Sequence, residues 1–378
     1  MALEREKPLT DVQSLAATSS MKGSNSACKH RERIAQLSTA KKRSLQMANH
    51  CIKVADEPKV GFQVAGCANH MVFNNYYTIE KIRLSKVFTC KKHLLCPFCA
   101  RLRGAKQVAA YLPKYLQIIK EKPSLVPALI TLTAKNGFDL KERANHLINS
   151  FRKMQSYRRD WLKKGRGFNE LCKLDGAVFS YETTYNEDSG WHFHLHAVGL
   201  LNDYIDVKKL SAEWLAITGD SFIVDVRKIQ GDSEQEMAEA FCEVFKYALK
   251  FSDLSLALNL KAYKKLKGMK LQGSFGSFRG VKVPETMTDD LYEGLPYLEL
   301  FYNYDRTKMS FNLDATKERT GEEKGEFPDE EWEADTDALI RAFEVKEMKK
   351  SIHARQRART KKLTKSLAKH LPRKYNPD

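Results

Sequence analysis

Strict alternation of apolar and polar side chains marks the segment Trp-His-Phe-His-Leu-His, which ends at His196. In an extended strand, side chains two residues apart lie on the same face of the sheet. His192, His194 and His196 are therefore predicted to share one face, with Phe193 and Leu195 in the core on the other. Three such imidazoles suit a divalent metal ion. The alternative is a half-buried strand with histidines on its solvated face.

A second apolar run precedes this segment and predicts the other strand of a hairpin. Residues 177–185 are rich in β-branched and aromatic side chains, and a turn-rich connection follows them. If Tyr185 pairs with Trp191, Glu182 lies directly opposite His194 on the histidine face. Glu182 is then either a third metal ligand or a solvent-facing carboxylate of the hairpin.

The rest of the pattern mixes helices and strands around this hairpin. Helices are predicted over 101–121, 139–164, 206–218 and 233–251, and strands over 128–133 and 222–226. No Gly-rich phosphate loop accompanies these elements in the sequence. The pattern therefore predicts an α+β fold with a central antiparallel sheet flanked by helices.

Charge and composition narrow the class of partner. The chain has 378 residues, a formal net charge of +17 and a hydrophobic content of 42%, which suffices for a sizeable core. The positive charge favours a polyanion, and nucleic acid before a membrane surface. We see neither an apolar run of the ~20 residues that span a membrane nor a signal peptide. We therefore expect no membrane partner and a cytoplasmic, reducing setting, where cysteines serve as metal ligands or free thiols.

Four of the eight cysteines are spaced like ligands of structural zinc, with two of them enclosing a Pro-Phe pair. The four are Cys67, Cys90, Cys96 and Cys99. His93 and His70 are competing ligands at this site. A redox-active thiol pair is the alternative to zinc.

Another candidate cluster lies on the last predicted helix. Glu243, Tyr247 and Lys250 follow i, i+4, i+7 spacing and so share one helix face. A tyrosine hydroxyl with an ordinary pKa near ~10 is a poor nucleophile unaided. A phosphate polarised by a metal, with a lysine that favours the phenolate, would change that. The alternative is a packed tyrosine beside a surface Glu–Lys pair.

Composition divides the chain into five segments. A basic, loosely ordered leader is predicted over 1–58, a cysteine-rich zinc-binding region over 60–105 and the main α+β domain over 106–285. An acidic region over 286–345 and a basic tail over 346–378 follow.

In this order the motifs resemble those of the rolling-circle replication initiators (Rep proteins) of small bacterial plasmids, in the HUH endonuclease superfamily. That family has a cysteine knuckle, an apolar-Thr strand, a His-hydrophobe-His strand, a tyrosine helix and a closing Gly/Phe strand. The matching segments here are 90–99, 129–133, 192–196, 243–250 and 271–278. The resemblance covers about 65–285 and implies an HUH endonuclease fold, with 106–285 as the nickase domain.

The resemblance also implies roles for the candidate site residues. His194 and His196 would ligate Mg²⁺ or Mn²⁺, with Glu182 or His192 as the third ligand. Tyr247 would attack a phosphodiester of single-stranded DNA, forming a 5′-phosphotyrosyl bond and freeing a 3′-OH that primes synthesis.

Glu243 would activate water for termination. The four cysteines would hold structural Zn²⁺. The implied partners are plasmid origin DNA, a host helicase and the replication machinery. Two alternatives stay open: a relaxase or transposase of the same superfamily, or a non-catalytic, zinc-dependent DNA-binding regulator.

Overall fold

Two antiparallel β-sheets flanked by helices form the part of the chain that the computed structural model describes, residues 25–229, 234–245 and 254–319. All of these residues belong to the first of the two units of the chain, Met1–Glu322. The predicted α+β class is confirmed.

Seven helices and nine strands follow one another in this described part. The helices are α1 (Asn25–Lys53), α2 (Pro58–Gly66), α3 (Pro97–Glu121), α4 (Leu140–Lys164), α5 (Val207–Thr218), α6 (Glu234–Phe245) and α7 (Leu256–Leu266). The strands are β1 (His70–Tyr76), β2 (Lys81–Val87), β3 (Val126–Thr133), β4 (Leu174–Asn186), β5 (Gly190–Leu201), β6 (Val224–Lys228), β7 (Gln272–Gly276), β8 (Tyr297–Asp305) and β9 (Ser310–Arg319).

The central sheet has the strand order β6-β3-β5-β4-β7, and each neighbouring pair is antiparallel. The predicted hairpin of β4 and β5 forms its middle. Tyr185 pairs with Trp191, and Glu182 lies opposite His194, as predicted. The register of this hairpin therefore brings a carboxylate and the histidine strand together.

One face of the central sheet is covered by α4. Phe193 and Leu195 are buried on this face, as the alternation predicts. Phe151 of α4 packs edge-to-face on Phe179 of β4, with ring centroids 5.0 Å apart. Asp139 begins the helix, because its carboxylate accepts hydrogen bonds from the backbone N–H groups two and three residues later.

The opposite face, which carries the histidines, is covered by α6 and α3. Val178 and Val198 of this face pack in one hydrophobic cluster with Phe241 and Phe245 of α6. Tyr111 of α3 stacks on Phe245, with ring centroids 5.3 Å apart. The helix predicted to end in the tyrosine motif thus packs on the histidine face.

The N-terminal region differs from the sequence prediction. Composition predicts a loosely ordered leader over 1–58, but the structure forms α1 from Asn25 onward. Leu37, Met47 and Cys51 are buried on one face of this helix. A helix with such a buried face is held by tertiary packing rather than by its polar composition.

A second sheet, with the order β2-β1-β8-β9, was not predicted. It joins residues 70–87 to residues 297–319, so β1 pairs with a strand far along the chain. The acidic region predicted over 286–345 contains β8 and β9, two strands that its composition did not indicate. The paired strands are distant in the sequence and strand propensity depends on context, so the local pattern did not indicate this sheet.

Residues 1–24 and 320–378 lie outside the described residues, and with them the start of the predicted leader, the acidic block and the basic tail. Within the described residues, no helix combines the length and apolar composition that crossing a membrane requires.

Candidate active site and metal centres

Glu182, His194 and His196 come together on the face of the central hairpin that α6 covers. Nε2 of His196 lies 3.4 Å from Oε2 of Glu182, and Nε2 of His194 lies 3.8 Å from the same oxygen. The two imidazole ring centroids are 4.6 Å apart. Glu182 and His194 are buried and His196 is half-buried, so the cluster is most accessible at His196.

These three side chains fit a divalent metal ion. Their candidate ligand atoms all lie within 4.8 Å of one another. Both Glu182–histidine distances exceed hydrogen-bond lengths of about 2.7–3.2 Å, yet stay below the ~4.2 Å that two ligands at ~2.1 Å from one ion can reach. Nδ1 of His194 is buried without a hydrogen-bond partner among the described residues. The group could therefore hold a metal ion.

His192, the alternative third ligand, lies beside this group rather than in it. Its Nδ1 is 2.7 Å from Oδ1 of Asn136. Its ring centroid is 4.9 Å from that of His194. The three-residue group that could bind a metal contains Glu182 instead.

The described end of α6 lies close to the same face of the sheet. The Ser180 hydroxyl donates a hydrogen bond to the backbone carbonyl of Val244. Ser180 precedes Glu182 by two residues in β4, so the two side chains point to the same face. The last turn of the described helix is therefore anchored next to the candidate metal ligands.

The predicted catalytic face of this helix is described only at Glu243. Glu243 is half-buried in the last described turn. Tyr247 and Lys250 lie outside the described residues. Their roles stay predictions.

The four predicted cysteine ligands form a second cluster at the start of α3. The sulfur–sulfur distances are 3.5 Å for Cys67–Cys99, 3.6 Å for Cys90–Cys99 and 3.7 Å for Cys67–Cys96. Four thiolates at ~2.3 Å from a tetrahedral zinc ion are about 3.8 Å apart. The structure brings the sulfurs to the spacing of such a site, which could hold a metal.

Within the described residues, neither competing histidine joins the cysteine cluster. Nδ1 of His70 lies 2.5 Å from Oδ1 of Asn303. Burial and the nearby Arg103 lower the pKa of His93 to about 4. Burial raises the pKa of the Cys96 thiol, but hydrogen bonds from neighbouring thiols outweigh this and hold that pKa well below its ordinary value. The thiolate thus favoured is the form that binds metals.

A family model described as a replication protein matches residues 81–295, more than half of the chain. The chain belongs to this replication protein family. The match agrees with the plasmid rolling-circle initiators that the motifs resemble. It includes the Glu182, His194 and His196 group and three of the four clustered cysteines. Neither a curated protein nor a solved structure matches the chain significantly.

Residues without a predicted role support the candidate ligands of the replication protein. Oγ1 of Thr131 in β3 is 3.1 Å from Nδ1 of His196, and the two residues are paired in register. A hydrogen bond to the second ring nitrogen fixes the orientation of a ligating imidazole. Thr131 belongs to the apolar-Thr strand. Its alternation with the apolar residues of that strand is the sequence signal that could have indicated its position.

The cysteine cluster is supported by α1, which precedes the matched segment. Nζ of Lys41 is buried and donates hydrogen bonds to three carbonyl oxygens between residues 65 and 69, at 2.5 to 2.9 Å. Oγ of Ser44 lies 3.4 Å from Sγ of Cys96. Burial lowers the pKa of Lys41 to about 8, although the neighbouring thiols of Cys67 and Cys96 oppose this. Lys41 therefore places its amino group beside the cysteine cluster.

Proposed function

We propose that this replication protein initiates rolling-circle replication by nicking one strand of its plasmid at the double-strand origin. The Glu182, His194 and His196 group, inside the matched family segment, carries the proposal. An antiparallel sheet with this group beneath α6 supports an HUH endonuclease fold for 106–285.

A Mg²⁺ or Mn²⁺ ion held by these three side chains would polarise a phosphate of the DNA strand and offset the charge that develops there. Thr131 holds the ring of His196 so that Nε2 is directed to Glu182. Glu182 is preferred to His192 as the third ligand, because the group of side chains whose ligand atoms lie within 4.8 Å of one another contains Glu182 and not His192.

Tyr247 is the proposed nucleophile. Its phenolate oxygen attacks the phosphorus of the scissile phosphodiester, and the bond between phosphorus and the 3′ oxygen breaks. The phosphorus keeps its 5′ oxygen and becomes a 5′-phosphotyrosyl ester, while the departing oxygen takes a proton and becomes a free 3′-OH. Lys250, three residues later, would favour the phenolate form. One ester replaces another, so the ends can be rejoined.

Glu243 precedes Tyr247 by four residues in the sequence and is proposed to activate the water that ends the reaction. The cysteine cluster is proposed to hold structural Zn²⁺, which would stabilise the region around 65–105. A host helicase and polymerase would extend the 3′ end.

A nicking assay on supercoiled origin plasmid tests the proposal. Wild-type protein with Mn²⁺ should convert the plasmid to open circles, and a chelator should stop the reaction. His196→Ala should lose this activity, whereas His50→Ala, a histidine of α1 outside the cluster, should keep it. Binding without nicking at every metal concentration would contradict the proposal and identify a non-catalytic regulator.

A further inference from the structure

A groove with positively charged walls lies between α4 and β7. Its volume is about 810 Å³, and Phe179 and Tyr181 of β4 line it. Tyr181 stacks on Phe193 of the neighbouring strand, with ring centroids 5.9 Å apart, so both face α4. Glu182 follows Tyr181 and points to the other face. The groove is therefore on the side of the sheet opposite the candidate active site.

Six basic side chains, and no carboxylate, are among the described residues that line the groove. The six are Arg152, Arg158, Arg159, Lys163, Lys270 and Arg279. Arg152, Arg159 and Lys163 follow i, i+7, i+11 spacing and form a stripe about 16 Å long on α4. Lys270 and Arg279 lie on either side of β7 and supply the opposite wall.

Most of these cations are available to a ligand. All except Arg158 are exposed. Among the described residues, the exposed five form no ion pair with Asp or Glu, in contrast to Arg143 and Lys173. Cations gathered on two walls without acidic partners repel one another, and an anionic ligand between them would relieve this.

The buried Arg158 and the edge strand shape the base of the groove. The guanidinium of Arg158 donates hydrogen bonds to the carbonyls of Leu171 and Leu174 and lies over the Phe275 ring, 4.9 Å from its centroid. In the described chain, β7 is an edge strand of the central sheet, so one side of its backbone has no strand partner. Backbone N–H groups on such an edge can donate to phosphate oxygens.

We infer that this groove binds the sugar–phosphate backbone of duplex DNA next to the nick site, which rests on the proposed function because that function makes DNA the partner. Tyr181 is only 3% exposed, and Phe179 and Phe275 are half-buried, so the rings offer little of the open stacking surface that single-stranded DNA uses. Contacts would go to phosphates and be independent of sequence. The stripe on α4 matches about five base-pair steps of ~3.4 Å.

Two matched double variants on one helix test the inference. Arg159→Gln/Lys163→Gln removes two groove cations, and Lys153→Gln/Lys164→Gln removes two exposed cations of α4 outside the groove. Binding to a labelled duplex of about 30 base pairs is measured by fluorescence anisotropy between about 50 and 200 mM salt. The groove variant should bind about tenfold or more weakly and its log–log salt slope should fall by about 2, while the control matches wild type.

Equal loss in both variants, or loss in neither, would overturn the inference. So would an equal loss of affinity for a single-stranded oligonucleotide, which would assign the groove to the separated strand. If the groove variant unfolds at a lower temperature than wild type, Lys270→Gln/Arg279→Gln on the other wall replaces it. The same loss of duplex binding is expected of that variant.

Nicking separates this inference from the proposed function. The groove variant should cleave a single-stranded origin oligonucleotide as wild type does, because the groove lies on the opposite face. If wild type never nicks but its duplex binding depends on the groove, the proposed function is contradicted and the inference about the groove stands. If wild type nicks and the groove variant binds duplex DNA as wild type does, only the inference about the groove is contradicted.

Discussion

Glu182 is a carboxylate only 2% exposed, in the middle of a β-sheet. Burial of a carboxylate costs free energy unless a positive charge or hydrogen-bond donors compensate for it. Two imidazoles, those of His194 and His196, lie beside it at 3.8 and 3.4 Å. A shared divalent ion would compensate for the charge, which gives a physical reason for a glutamate at this strand position.

Metal affinity tests this account of the three residues. Glu182→Gln and His194→Ala should each weaken Mn²⁺ binding by at least about tenfold, because each removes a ligand. Isothermal titration calorimetry measures the affinity. His192→Ala should change it much less, since His192 lies outside the three-residue group. Affinity lost equally in His192→Ala would make His192 a ligand instead.

Among the elements, the hairpin and α4 could be predicted because their signals are local. Alternation fixed the faces of β5, and the side chain of Asp139 marks the start of α4 by accepting backbone hydrogen bonds. The sequence narrowed the third ligand only to Glu182 or His192, because the choice depends on the distances between side chains in the folded hairpin.

The helix α1 could not be recognised, because polar residues interrupt its buried face. Leu37, Lys41, Ser44 and Met47 all lie on that face and are buried. Lys41 is satisfied by carbonyls of the chain after α2, and Ser44 by the cysteine cluster. These partners are distant in sequence, so composition alone indicates a solvated segment.

Zinc content tests the cysteine cluster, which these contacts join to α1. Cys96→Ser should reduce bound zinc well below about one per chain and lower the unfolding temperature, because a structural metal contributes folding free energy. Elemental analysis and thermal denaturation measure both. Cys51→Ser is the matched control, since Cys51 is buried in α1 outside the cluster. Full zinc in Cys96→Ser would contradict a four-cysteine site.

At the scale of the whole molecule, Asp289 links three elements that are far apart in the sequence. Its carboxylate accepts hydrogen bonds from Arg33 of α1 at 2.8 Å and from the backbone N–H of Leu84 in β2 at 2.8 Å, and Nζ of Lys106 in α3 lies at 3.7 Å. Burial raises the pKa of Asp289, but the hydrogen bond and charge of Arg33 outweigh it and lower the pKa below its ordinary value.

The lowered pKa predicts how the stability depends on pH. The contribution of Asp289 is fully present above the unfolded pKa of ~3.9 and is lost as the pH falls through the lower folded pKa. Asp289→Asn should therefore reduce the free energy of unfolding by roughly 1–3 kcal/mol at neutral pH, and the difference should shrink below about pH 4. Urea denaturation at both pH values measures it. A difference independent of pH would contradict the ionised network.

Net charge predicted a nucleic-acid partner but not its place on the molecule. The groove cations come from α4 and from both sides of β7, segments separated in the sequence by the whole central hairpin. Only the fold gathers them on one side and places the histidine cluster on the other. Composition therefore predicted the class of partner. It could not predict that the groove and the histidine cluster lie on opposite faces of one sheet.

A covalent adduct is the most direct test of the central claim, that Tyr247 nicks DNA by transesterification. A single-stranded origin oligonucleotide labelled at its 3′ end is incubated with protein and Mn²⁺ and resolved on a denaturing gel. Tyr204→Phe is the control, because it changes an exposed tyrosine far from Tyr247 in the sequence. Wild type and this control should both carry the label on the protein. Tyr247→Phe should bind the oligonucleotide yet show no labelled protein. An undiminished adduct in Tyr247→Phe, or transfer of a 5′ label instead, would contradict the account.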